Sequence, residues 1–506
     1  MLRTFLILFS VIFLATTPSV AQSSFFNVNE TQPFKDTKRN TSLEQLFTLS
    51  NGQMVAVRSA KRRLMVSAFS SKYQIANDIE IELERKQSYL GSVQDGNSVH
   101  LFTLTEVDKR TKDINVHTYT AGNRSISTKK LYTATKDDKR LSKFGTLASR
   151  KHEENFRVSP NGEFIAFAIE NIDSKTNAFS IRVFDNSLNE VYNTNYIDSE
   201  EKYYAFDDFI VSNHGEVLSA GKLYKKGRRE KRKGEANYDY IVYRVSESGS
   251  DSFQFDLGDN FVKELSFAQS EDEDIRLIGF YSERNSRRMK GAVSYTFSGM
   301  DIQSLKATEV PFPETMFKDL YTEKKANRLA EKEKELQNYY LDYVLVDEEG
   351  NSYLLAEQFY VTYQTTGGGM NGMVTTRTIY HYDNILAIKF DAEGNLTWAR
   401  SILKKDYAPS YNAFVLNNTL HVFLNSGKNL GEKSDGRTKV RRGFLEGSAL
   451  YDISFDPSNG ELDYQQIQEN KGKETFIPYK GTFGDDAIVL PNLSKRKKSF
   501  LVLTQK

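Results

Sequence analysis

Four acidic side chains stand eight positions before a glycine that closes a short polar turn: Glu44 before Gly52, Glu154 before Gly162, Asp207 before Gly215 and Asp342 before Gly350. Equal spacing in a repeated fold brings equivalent side chains to equivalent places, so these four are candidates for one acidic collar. Carboxylates at the mouth of a channel attract a cation or a basic group. A pair of them about 5 to 10 Å apart also supplies the general acid and the nucleophile or base that glycan hydrolysis needs. The more economical role is structural, with each carboxylate accepting backbone N–H groups where one repeat hands over to the next. Ser88 holds the position in the segment around Gly96.

Other chemistry finds less support. The run Gly367-Gly368-Gly369-Met370-Asn371-Gly372 has the glycine spacing of a dinucleotide cradle. Such a cradle must follow a strand and open a helix. Here "QFYVTYQTT" precedes it and "MVTTRTIYHYDNILAIKF" follows, β-branched and aromatic on both sides, so the glycines read as the tip of a long hairpin. The six histidines are scattered, with no H-E-x-x-H. His381 and Asp383 share a strand face by alternation, but no third ligand accompanies them, so no metal site is expected. No G-x-S-x-G elbow occurs, and the absence of cysteine excludes disulfides, thiolate ligands and cysteine nucleophiles. No cofactor is expected.

Basic residues offer a stronger signal. Lys225, Lys226, Arg228, Arg229, Lys231, Arg232 and Lys233 fall within ten residues, and Arg284, Arg287, Arg288 and Lys290 follow in the next repeat. Further clusters are Lys439, Arg441 and Arg442, and Lys495 to Lys498. Because 68 Lys and Arg nearly cancel 67 Asp and Glu, attraction to a partner must come from this local clustering. An acidic protein, an anionic glycan or a lipid headgroup fits; nucleic acid does not, since no stacking aromatics interleave the basic runs.

The elements that position these residues repeat. Around Gly52, Gly96, Gly162, Gly215 and Gly350 an apolar run, a polar turn and a second apolar run follow in order, the signature of a hairpin. Second hairpins enter their turns on an aromatic then a small polar residue, as at Phe69-Ser70, Tyr119-Thr120, Phe184-Asp185, Phe297-Ser298, Phe390-Asp391 and Phe455-Asp456. Two hairpins per unit of roughly 45 to 70 residues describe the blades of an all-β propeller. Units fall near 43–86, 88–133, 153–197, 203–257, 260–309, 339–403 and 409–470, and 476–505 offers two more strands. N-terminal residues between 22 and 45 are expected to complete the last blade, for seven or eight four-stranded antiparallel blades in one domain. One surface helix is expected near 313–338, where Pro313 precedes a run of good helix formers.

The first residues combine Arg3, an apolar core from Phe5 to Ala15 and a Ser19-Val20-Ala21 ending. This reads as a cleaved secretory signal over 1–21, placing the mature chain in the periplasm, on the outer surface or outside the cell, with no transmembrane segment. With that pattern set, "YLDYVLVDEEGNSYLLAEQFYVTY" and "YHYDNILAIKFDAEGNLTWARSI" resemble uncharacterised secreted propeller-like proteins of Gram-negative bacteria. The resemblance implies fold and export and brings no catalytic residues. The sequence thus describes an exported, non-catalytic binding or scaffolding propeller that engages a protein or an anionic envelope component through loops of one face. The alternative is a glycan-active hydrolase or lyase built on the channel carboxylates.

Overall fold

A computed structural model describes residues 25–35, 41–108, 111–134, 156–172, 177–196, 202–255, 258, 260–270, 275–285, 287–332, 334–366, 375–441, 447–470, 475–484, 487–492 and 498–506. The apolar N-terminus, Glu154, the 367–372 glycines, Arg442 and Lys495 to Lys497 lie outside these residues.

The hairpin periodicity becomes eight antiparallel meanders. Seven sheets have four strands, and the eighth has four plus two short strands added to its edge. Blades 1 to 7 span 42–82, 87–134, 156–196, 204–255, 261–311, 339–406 and 411–469. Turn glycines such as Gly52 and Gly350 sit at φ 74° and 78°, the left-handed region that the short turn between first and second strands requires. Blade 8 takes Thr482–Gly484, Ala487–Asn492 and Ser499–Gln505 from the C-terminus, three strands rather than two. Its outermost strand, Phe26–Glu30, comes from the N-terminus and pairs from Phe26↔Gln505 to Glu30↔Leu501. The expected completion of the last blade by N-terminal residues is borne out, and the described residues form eight blades.

Aromatic and β-branched side chains on both faces of each sheet pack against the next blade. Eight apolar clusters result, one at each interface around the ring. Between blades 2 and 3, Phe102 stacks on Phe156 at 3.8 Å between ring centroids. Between blades 8 and 1, Phe34, Phe69 and Phe500 meet with centroids 5.0 to 5.3 Å apart.

The inner strands carry a device the sequence did not announce. In blades 1, 2, 4, 5 and 6 the register slips by one residue near the strand's start, leaving Glu44, Leu90, Asp207, Lys263 and Asp342 as bulge residues. In blades 4 and 5 a glycine lies across from the bulged segment. A Cβ on Gly279 would lie 2.0 Å from the Glu264 carbonyl oxygen, and one on Gly221 would lie 2.4 Å from that of Ala205. Because a bulge re-aims side chains, two neighbouring residues can address different environments.

The expected single helix is corrected to two, Glu314–Leu320 and Glu323–Glu331, interrupted at Tyr321 and Thr322, and the chain then returns to a strand at Leu336–Gln337. One side of the pair is not on the surface. Met316, Phe317, Leu320 and Ala326 are buried against blades 5 and 6, and Asp319 accepts two bonds from Arg400 at 2.9 Å. Once the pair is anchored there, tertiary packing outweighs helix continuity.

Candidate functional site

A cavity of about 730 Å³ occupies the channel between the inner strands, lined by blades 1 and 3 to 8. Its wall mixes polar groups, among them Glu44, Arg157, Asp208, Asp342 and Lys480, with apolar ones such as Phe47, Ile210, Phe267 and Phe414. The channel is therefore no dry apolar plug.

Glu44 and Asp342 line this cavity, but Asp207 is a correction: though it is a bulge residue like them, it is not part of the wall. It accepts a bond from the buried Tyr240 hydroxyl at 2.8 Å, and burial raises its carboxyl above the usual range despite Lys222 and Tyr240. The next residue, Asp208, takes the channel position. Its carboxylate accepts from Arg157 of blade 3 at 2.8 Å, from the Phe267 backbone N–H of blade 5 at 3.0 Å and from the Ser266 hydroxyl. Sequence reasoning missed it because spacing marked the bulge residue rather than its neighbour; the Asp207-Asp208 doublet was the available signal.

Similar bonds tie most neighbouring blades. Ser92 of blade 2 donates to Gln45 at 2.8 Å, Leu341 N–H to Glu264 at 3.2 Å, Tyr411 to Asp342 at 2.7 Å and Asn412 to the Pro478 carbonyl at 3.0 Å. Lys480 joins blade 8 to blade 1, donating to the Glu44 carbonyl at 2.8 Å, while Ser59 donates to the Glu44 carboxylate. Polar residues at the inner-strand starts thus form a girdle that holds the ring, and the channel carboxylates are members of it.

The basic tips follow the second strands and share a face with these inner-strand starts. Lys225 pairs with Asp239 at 3.0 Å, and Arg228 lies 4.5 Å over the Tyr203 ring. Lys231 donates to the Arg284 carbonyl at 3.2 Å, joining the loops of blades 4 and 5. Lys226, Arg229, Arg232, Lys233 and Arg287 are exposed. Arg288 is instead half-buried in a short strand paired with Gln337, and Lys290 bonds Glu283 at 2.5 Å. In blade 7, burial lowers the Lys439 amine, helped by Lys433, Arg441 and Lys405. Lys498 leaves the basic group altogether: it is buried and donates to Thr41 at 2.6 Å.

Lys263, the blade 5 bulge residue, is the group on this face whose chemistry stands out. Its amine lies 4.3 Å over the Tyr340 ring. Burial pushes it down to about 8; Lys222 adds to the fall, while Glu264 and Glu230 oppose it. Because an unfolded lysine titrates near 10.4, the folded state holds fewer protons between about 8 and 10.4, so this residue makes the protein more stable as pH rises through that window. Site-resolved acylation across pH should find Lys263 half-reactive near pH 8. A profile matching that of exposed lysines would contradict the burial described.

The histidines serve strands. His117 bonds Thr103 and Thr128, His421 bonds Asp452 at 2.9 Å, and His381 bonds Thr362 at 2.8 Å. His381 and Asp383 do share a face, with Tyr360 stacked on the first and donating to the second at 2.7 Å. Among the described residues no cluster of three or more His, Cys, Asp or Glu could hold a metal ion, and no helix is long and apolar enough to cross a membrane.

Fold and channel define the molecule as an eight-bladed β-propeller with an inserted helical pair. No family model and no curated protein matches the sequence. Solved structures similar to it include the β-propeller domain of the Trilobed protease from Pyrococcus furiosus, 11% identical over 83% of this chain and 98% of that one, with a TM-score of 0.35. A member of the DUF4221 family from Bacteroides vulgatus is 11% identical over 73% of this chain and 92% of that one, at 0.33. Prolyl oligopeptidase B from Galerina marginata is 7% identical over 91% of this chain at 0.39, and the match covers 56% of its length. These likenesses concern fold.

Proposed function

We propose that this chain is exported and acts as a non-catalytic binding propeller, engaging an anionic component of the cell envelope, or an acidic protein, through the face that carries the channel mouth. The observation that carries this reading is the junction of the blade 4 and blade 5 loops through Lys231 and Arg284, which sets Lys226, Arg229, Arg232, Lys233 and Arg287 on one exposed, cationic rim. Clustered charge of one sign concentrates and steers anions. The girdle supports the non-catalytic part, since Glu44, Asp208 and Asp342 each accept a bond that holds blades or strands together.

Reversing Lys226, Arg229, Arg232 and Lys233 to Glu is expected to weaken binding to a polyanion such as polyglutamate by roughly tenfold or more at low salt, with the melting temperature kept. Unchanged affinity in that variant would remove the basis of this reading. A glycan-active enzyme keeps one observation in its favour, that Glu44 and Asp342 both line the cavity. Turnover of a glycan by the native protein, abolished by Asp342→Asn, would establish it.

A further inference from the structure

Blade 6 extends past its own sheet. Its middle strands, Ser352–Thr366 and Thr375–Phe390, are the two longest described and stay paired out to Thr366↔Thr375, so a two-stranded ribbon rises from the channel rim. Residues directly opposite on such a ribbon share a face, as do alternate residues along each strand. The pairs Phe359↔Tyr382, Val361↔Tyr380 and Tyr363↔Thr378 therefore define one face. Tyr340 on the neighbouring inner strand extends it, with its ring 6.2 Å from Phe359.

The two faces of the ribbon differ. One is completed internally by the Tyr360, His381 and Asp383 contacts. The other leaves rings in water: Tyr340 is 47% exposed, Tyr380 43% and Tyr363 72%. Phe359 and Tyr380 lie within 14° of parallel with centroids 6.4 Å apart, and Tyr382 at the wall's foot lines the channel cavity. One cation meets the wall, and a second meets the blade 5 inner strand that carries the first. Lys263 covers Tyr340, and Lys231 of the basic blade 4 loop lies 5.5 Å over Phe261, two residues before Lys263.

We propose that this tyrosine wall and the Lys263 amine at its foot form a binding subsite for an acidic polysaccharide, a chain of pyranose rings bearing carboxylates. The proposal rests on the anion-binding reading above and names the ligand class for it. A pyranose presents a C–H face that packs on an aromatic ring and hydroxyls that pair with phenolic tips, and tyrosine offers both. An acyl chain needs a closed aliphatic groove, whereas Val361 is the one aliphatic residue in this row. Carboxylates on the sugar complement Lys263 and, beyond it, the exposed cations of blades 4 and 5.

The test measures equilibrium binding to polygalacturonate and to polyglutamate for three proteins: the native chain, a Tyr340→Ala/Tyr363→Ala/Tyr380→Ala variant, and the four-site charge-reversed variant. All seven positions are exposed, so melting temperatures should stay close to native. The tyrosine variant is expected to bind polygalacturonate about fivefold or more weakly and polyglutamate unchanged, while the charge variant loses both. Equal loss of both polymers in the tyrosine variant, or native binding to polyglutamate alone, would overturn the glycan assignment and leave the anion-binding face standing, as for an acidic protein partner. Native protein that binds neither polymer would overturn both.

Discussion

Deleting residues 25–35 is expected to cost the molecule a large part of its stability and to make it associate. That segment supplies the outer strand of blade 8 and two aromatic anchors, Phe26 against Phe423 and Phe34 against Phe69 and Phe500. Truncating one buried phenylalanine costs about 3–5 kcal/mol, and a folded domain holds about 5–15 kcal/mol in all. Without Phe26–Glu30, the strand Ser499–Gln505 becomes an exposed, apolar edge, which templates pairing between chains. Thermal melting and light scattering on the shortened chain should show a much lower transition and larger particles. A monomer that melts like the full chain would mean that three strands suffice for blade 8.

Asp208→Ala should be the most damaging single change in the channel, at about 3–5 kcal/mol, because it removes the carboxylate that Arg157 pairs with and leaves the Phe267 N–H and Ser266 hydroxyl without that acceptor. Asp207→Asn, one residue away, should cost about 1 kcal/mol or less, since an amide can still accept from Tyr240 and removes a buried charge. Denaturant midpoints of the two variants compare them directly. Similar losses in both would show that the bulge does not separate their roles as described.

Architecture was legible because blades are local objects. Hairpin turns favour glycine at positive φ, and alternating apolar runs mark strands, so unit boundaries fell within a few residues of the observed blades. The N-terminal closing strand followed from the cost of an open edge. What spacing did not reveal is long-range: Arg157 meets Asp208 across 51 residues, and Lys263 meets Tyr340 across 77 positions of sequence. Bulges hid the rest. Counting eight residues back from each turn found Asp207, but in blade 4 the carboxylate on the channel wall is that of Asp208, while the same count in blades 1 and 6 found Glu44 and Asp342, which do line it.

The helical insertion lies where it was expected, near 313–338, but its division into two helices and its buried side were not legible for a related reason. The run of good helix formers after Pro313 reads as one surface helix, yet Met316, Phe317 and Ala326 face an inter-blade core that no local pattern identifies. Aromatic residues of the blade 6 ribbon were visible in the sequence as strand formers. Only pairing and register place Tyr363 and Tyr380 on a common exposed face with Phe359.

The central claim is that a cationic face binds an anionic partner, and the salt dependence of polyanion binding tests it most directly. Affinity of the native protein for polyglutamate should fall at least about tenfold between 0.05 and 0.3 M salt, approximately, while the four-site charge-reversed variant binds weakly throughout. Binding that salt leaves unchanged, or that the charge-reversed protein shares in full, would contradict the account.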